Sequence, residues 1–287
     1  MPIEKPPLID RPGMGNVSMG NKLPKDETEV GRMHGHFAAA WQARNLDMES
    51  ENAFEHFHLF KGIPTEESIS EGILKAPKPA IIIGSGPSAD QIIPKLKGWK
   101  GGIFCSTSHI TTLAKYGVMP TMFASPDPLG LMDEFAMPDE DLERMFKETI
   151  FGSSPIQPIE YTRFWKGRRR WYMIFDPTKE WYAQILRPRF EWIKDILLPF
   201  SANLPALMAI AQYMGYSPIY LTGADFSGSR YTQWRYHNDE WEESIGSLPP
   251  ENHRVATHHG KVSSPNLMWA WRGMMCVARI NSEARHG

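Results

Sequence analysis

Ala80-Ile81-Ile82-Ile83-Gly84-Ser85-Gly86-Pro87-Ser88 is the stretch that decides the fold. Four consecutive apolar residues, three of them β-branched, read as a strand buried on both faces rather than one. Two glycines then make a tight turn, and Pro87 suits the first position of a helix, where a missing N–H costs nothing. Ser88 to Leu96 reads as that helix. A strand feeding a glycine turn and a helix presents unpaired backbone N–H groups and the positive end of a helix dipole, a setting suited to a phosphate. Gly84 and Gly86 are read as allowing positive φ and close backbone approach. Ser85 and Ser88 can cap the helix or touch an anion through their hydroxyls. A plain strand–turn–helix connection in a core is the simpler alternative.

The α/β rhythm continues downstream. Gly102 to Thr107 reads as a second strand, and Ile110 to Tyr116 as a helix stopped by Gly117. Thr121 to Ser125 reads as a third strand, ending at Pro126-Asp127-Pro128. Asn203 to Met214 is a small-residue apolar helix ended by Gly215. Pro218 to Thr222 is a strand running into Gly223-Ala224-Asp225. Strands alternating with helices predict an α/β, Rossmann-like open sheet, mostly parallel, with helices on both faces. The expected organisation is a flexible arm over 1–30, an N-terminal helical extension over 31–76, and the Rossmann-like domain over 77–287. A less regular insertion is expected at about 129–200, holding an acidic helix near 138–147 and a strand near 170–175. A polar, His-rich loop is expected over 228–264, followed by a helix from Asn266 to about Ile280.

In the extension, the helical pattern places Phe54, Phe57 and Leu59 on one apolar face. His56 and His58, two apart, point to different sides of a helix and do not form a metal site.

Bulk properties bound the function. The chain has 287 residues, 41% hydrophobic and 22% charged, with a formal net charge of −2. That balance gives no global attraction to nucleic acid or to an anionic membrane. Arg168-Arg169-Arg170 is a local basic cluster, read as a solvated strand edge or an anion contact. Cysteine occurs twice, at Cys105 and Cys276, without metal-ligand spacing or a disulfide framework. No signal-peptide core and no membrane span are read, so a cytoplasmic protein is expected.

Candidate site residues follow from the strand ends. In open α/β sheets ligands bind beyond the carboxyl ends of the strands. Nucleotide or phosphate contacts are therefore assigned to Gly84, Ser85, Gly86, Pro87, Ser88, Ser106, Asn203 and Gly223. Asp127 and Asp225 are candidates for ribose bonding, Mg²⁺ or proton transfer, with Asp127 the Mg²⁺ candidate. Their simpler readings are a turn between two prolines and a cap. The late-loop histidines His237, His253, His258 and His259 are each candidates for a general acid or base, with a solvated loop position the simpler reading. Gly84-x-Gly86-x-x-Ala89 also fits a dinucleotide fingerprint, but that fingerprint expects a carboxylate about 20 positions on. Cys105 to His109 supplies none, and no Walker lysine follows the turn.

The order of these motifs resembles the 6-hydroxymethylpterin diphosphokinase MptE-like family. The resemblance rests on Ala80–Ser88, on Gly117-Val118-Met119-Pro120 with Thr121–Pro128, and on Asn203–Gly215 with Ile219–Phe226. It covers roughly residues 40–280. That family is similar to bacterial motility accessory factors and to sialyltransferases with a Gly-Asn-Gly-Pro-Ser turn. The resemblance implies one of two chemistries. One is sugar transfer from a CMP-activated donor, the reading preferred here. The other is Mg²⁺-dependent diphosphate transfer from ATP to a hydroxymethyl dihydropterin. The diphosphokinases carry Asp-x-Asp-Gly where this chain has Ser125-Pro126-Asp127-Pro128, which sets it closer to the bacterial branch. A non-catalytic nucleotide-binding or scaffold protein is the alternative from another class, and a flavin or NAD oxidoreductase a third. The expected partner is a small-molecule nucleotide donor. The acceptor is not named by the sequence, and self-association is left open.

Overall fold

The computed structural model describes residues 46–60, 67–84, 86–89, 91–125, 128, 132–174, 182–197 and 203–225. It also describes the backbone of 234–237, 240–243, 255–256 and 262–263, and helical positions 271, 274, 275, 277 and 278. In chain order the first strands are β1 (Glu67–Ser68), β2 (Lys78–Ile83), β3 (Gly102–Cys105), β4 (Met122–Ala124) and β5 (Ile150–Ser153). They are followed by β6 (Arg169–Trp171), β7 (Met173–Ile174), β8 (Ile196–Leu197) and β9 (Tyr216–Thr222). Seven of these form one sheet in the order β1-β6-β5-β4-β3-β2-β9. Every neighbouring pair in it is parallel, while β7 and β8 pair separately.

The helices are α1 (46–60), α2 (Ile110–Lys115), α3 (Asp139–Glu148), α4 (Ile159–Phe164), α5 (Arg187–Arg189) and α6 (Asn203–Tyr213). Alternation along β2 sends its side chains to opposite layers. Ala80 and Ile82 join Phe104, Met122 and the α6 residues Leu207 and Ile210 on one face. Ile81 and Ile83 join Ile103, Phe123, and the α2 and α3 residues Leu113 and Leu142 on the other. Both faces are covered, which is why β2 is apolar without interruption from Ala80 to Ile83. Phe123 stacks on Phe151 with centroids 4.9 Å apart, and Trp165 meets Phe123 edge-on at 4.8 Å. Gly215 closes α6 with φ 86°, a conformation other residues adopt at a cost.

Three expectations change. The stretch 129–200 supplies β5 and β6 to the sheet, with α3 and α4 against it, rather than a less regular cap. β5 is only Ile-Phe-Gly-Ser, too short and glycine-broken to announce itself by pattern. The late loop contains two antiparallel pairs, β10 (Trp234–His237) with β11 (Glu240–Glu243) and β12 (Val255–Ala256) with β13 (Val262–Ser263). Finally, α1 docks by a mixed face, on which Phe57 and Phe60 pack against the core beside buried polar residues. Glu49, Asn52, Ala53 and His56 are buried, whereas Phe54 is 63% and Leu59 45% exposed. Asn52 Nδ2 donates to the carbonyls of Pro128 and Ile156 at 3.1 and 2.9 Å. His56 Nδ1–H donates to the Asn52 carbonyl at 2.8 Å, and Nε2 accepts from the Thr162 hydroxyl at 2.9 Å. Buried backbone carbonyls need donors, and these side chains supply them.

The basic cluster is absorbed by structure. Arg168 grips Glu67 through two bonds of 2.9 Å, Arg170 Nε reaches the same carboxylate at 3.1 Å, and Arg169 donates to the Thr162 carbonyl. Burial disfavours the charged Glu67, but the hydrogen bonds from Arg168 and Arg170 outweigh it and hold its carboxyl below the usual range. Among the described residues, no helix is long and apolar enough to cross a membrane.

Candidate functional site

From β2 the next strands in sequence, β3 to β6, step to one side of the sheet, and β9 lies on the other side. The connection leaving β2 packs on one face, and α6, which leads into β9, packs on the opposite one. The carboxyl ends of β2 and β9 are therefore a crossover point, the place where open α/β sheets leave a crevice for ligands.

Two glycine turns meet there. Gly84 N–H donates to the Thr222 carbonyl at 2.8 Å and Gly86 N–H to the Gly223 carbonyl at 2.9 Å. Ser88 N–H and the Ser88 hydroxyl both donate to Asp225 Oδ2 at 3.0 Å. The Ser88 oxygen in turn accepts from Gly223 N–H at 3.0 Å. A Cβ on Gly84 would stand 2.5 Å from the Gly223 carbonyl oxygen, and one on Gly86 would overlap Asp225 Oδ2. The glycines are thus required by the approach of one turn to the other. Positive φ belongs to Gly223, at 65°, and to neither Gly84 nor Gly86.

This geometry departs from the sequence reading in two ways. The amides of Gly84, Gly86 and Ser88 donate to Thr222 at the end of β9 and to Gly223 and Asp225 just beyond it, rather than to open space. The helix expected over Ser88–Leu96 is instead two 3-10 turns, Pro87–Ala89 and Ile93–Leu96. Pro94 lies within the second and cannot donate to a helical ladder. The longer helix that starts at this edge is α6. Asn203 Nδ2 reaches Ser125 Oγ at 3.5 Å, and Leu204 Cδ1 lies 3.3 Å from a Cβ placed on Gly84.

The structure thus brings Gly84, Gly86, Ser88, Gly223 and Asp225 into direct contact and sets Asn203 beside them. Ser106, at the end of β3 beside β2, is buried. Its hydroxyl bonds Ser108 Oγ at 2.7 Å and His109 Nδ1 at 3.1 Å. Ser85 and Asp127 lie outside the described residues, as do the side chains of Pro87 and His237. The neighbours of Asp127 are anchored: Gln157 Nε2 donates to the Ser125 carbonyl and Asn52 to that of Pro128. The β10 backbone, which ends at His237, packs against the Thr107–His109 and Pro87–Ala89 turns. His253, His258 and His259 are outside the described residues.

Sequence reasoning missed His109, Ser125 and Gln157. A signal existed for the first two, since each stands within four residues of a predicted strand end. Cys105 is buried in the sheet, and burial pushes its thiol far above the ordinary range, away from nucleophilic use. Among the described residues, no group of three His, Cys, Asp or Glu is placed to hold a metal ion.

An open parallel sheet with helices on both faces and a crossover between β2 and β9 defines a doubly wound α/β protein. Residues 55–230 match the family described as 6-hydroxymethylpterin diphosphokinase MptE-like, and the chain belongs to that family. The MAf glycosyltransferase from Magnetospirillum magneticum AMB-1 has a similar fold, with a TM-score of 0.54 and 18% sequence identity. The likeness covers 88% of this chain and 39% of that one, so this chain spans well under half of its neighbour's length. No curated protein matches the chain.

Proposed function

We propose that this chain is a transferase that uses a nucleotide donor, and that it transfers a sugar from a CMP-activated donor. The observation that carries this reading is the meeting of the β2 and β9 turns, with the amino end of α6, at the crossover of the sheet. Family membership and a fold shared with a glycosyltransferase support it.

In such a transfer an acceptor hydroxyl attacks the anomeric carbon. The bond from that carbon to the phosphate oxygen breaks, and CMP leaves with the electron pair. The protein must hold the leaving phosphate and remove the acceptor proton. The phosphate is assigned to the Gly84–Ser88 turn with Gly223, alongside Ser106 and Asn203. The acceptor proton is assigned to Asp127 or His237.

Diphosphate transfer from ATP is the second reading, and the description of the family itself favours it. It requires Mg²⁺, for which Asp127 is the candidate ligand, and it yields AMP. Mass spectrometry of the products separates the two: CMP release from a CMP-sugar supports the first, and AMP from ATP with a pterin supports the second. Thermal unfolding with CMP, CDP, ATP and a pterin, each with and without Mg²⁺, tests both. A ligand at 100 times its Kd adds about 2.7 kcal/mol. Stabilisation by none of them overturns the donor reading.

A further inference from the structure

The glycine turn carries its own anion. Asp225 Oδ2 receives two donors at 3.0 Å, the Ser88 amide and the Ser88 hydroxyl. The hydroxyl proton is directed there because the Ser88 oxygen already accepts from Gly223 N–H. The same oxygen occupies the space a Cβ on Gly86 would take. Two donors converging on one charged oxygen is the way such a turn grips an oxyanion.

We propose that Asp225 is an exchangeable occupant of the Gly84–Ser88 turn, which a donor phosphate must displace to reach Ser88. The inference rests on the nucleotide-donor reading and reverses the role expected of Asp225. It opposes anion binding in the free protein. An ionised carboxylate and a phosphate are both acceptors, so they compete for the Ser88 donors rather than share them. Their charges also repel at that range.

The position of the clasp makes exchange feasible. Ser88 is exposed and Asp225 half-buried, so water can solvate the carboxylate as it leaves. The Gly84 and Gly86 bonds to the end of β9 are backbone bonds and persist without the carboxylate. Asp225 therefore regulates which anions enter, while the two turns stay joined.

The test is calorimetric titration of the whole chain, wild type, Asp225→Asn and Asp225→Ala, with CMP and with cytidine. At 0.5 M NaCl a through-space charge effect is largely screened, whereas direct competition survives. The expected result is CMP binding at least tenfold tighter in both variants, with cytidine affinity unchanged. If the wild type binds CMP and both variants bind it equally or more weakly, the exchange is overturned and the donor reading stands. If none of the three binds CMP, both fall. Should the variants not fold, the wild type still decides. Saturating CMP should shift the Ser88 amide resonance, and an unmoved resonance overturns the exchange.

Discussion

Two polar regions at the carboxyl edge of the sheet behave differently. Between β4, β5 and α1, the carbonyls of Ser125, Pro128 and Ile156 are taken by Gln157 and Asn52, both fully enclosed. At the junction of β2 and β9, backbone meets backbone across glycines, and a charged clasp joins exposed Ser88 to half-buried Asp225. The first arrangement fixes the edge. The second leaves room for a ligand to substitute for a protein group. Polar residues alone do not mark the site, since the most buried of them are structural.

The comparison can be broken at several points. The largest effect is expected where both turns depend on one residue. Gly223→Ala places a Cβ against the Gly84 backbone carbonyl at a φ of 65°. It should cost about 3 kcal/mol, the sum of left-handed strain and overpacking, read as a lower urea midpoint. A midpoint within about 0.5 kcal/mol of wild type shows the turns to be separable.

His56 gives an effect of similar size through pH. Burial lowers its pKa from 6.5 to about 4, although hydrogen bonding to the Asn52 carbonyl works the other way. The unfolded chain takes up a proton that folded His56 refuses, so its contribution is complete above pH 6.5. It is lost as pH falls from there toward 4, by about 3 kcal/mol. Unfolding curves across that window in wild type and His56→Gln check this, and an identical slope in both removes the claim.

Asn52→Ala should cost about 2 kcal/mol, because two buried carbonyls lose a donor. Ser88→Ala, at the exposed clasp, should cost under about 1 kcal/mol. If these two reverse in order, the contrast between the fixed and the exchangeable edge is wrong. The smallest effect is expected for Phe54→Ala, within about 0.5 kcal/mol, since that ring faces outward on α1.

How much was legible depends on whether the deciding partner is near in sequence. β2 was legible because burial on both faces demands an uninterrupted apolar run, and Ile81 to Ile83 shows one. The ends of β3 and β4 followed from the same logic, whereas β9 is an edge strand with Tyr220 and Leu221 exposed and was marked instead by the Gly223 turn that follows it, which also placed Asp225 beside the glycine turn. The occupancy of the glycine turn was not legible, because Asp225 lies 137 positions from Ser88. β6 was read as a strand near 170–175, but the fate of its arginines was not legible: Arg168, just before it, and Arg170, within it, are met by Glu67 of the neighbouring strand β1. The docking face of α1 was read correctly for Phe57 but not for Phe54 and Leu59, because pattern reading takes apolar residues as buried. Here the carbonyls beneath the helix select Asn52, and the Thr162 hydroxyl selects His56. The β10–β11 hairpin had a signal, the two residues Asn238-Asp239 between segments with alternating aromatics, which could have marked it.

The central claim is that a nucleotide donor sets its phosphate on the junction of the β2 and β9 turns. The direct measurement is a crystal structure of the chain with CMP bound. The account predicts a phosphate oxygen within hydrogen-bonding distance of the Ser88 amide, with the Asp225 carboxylate moved off it. A phosphate bound elsewhere, with the Ser88–Asp225 clasp intact, contradicts it.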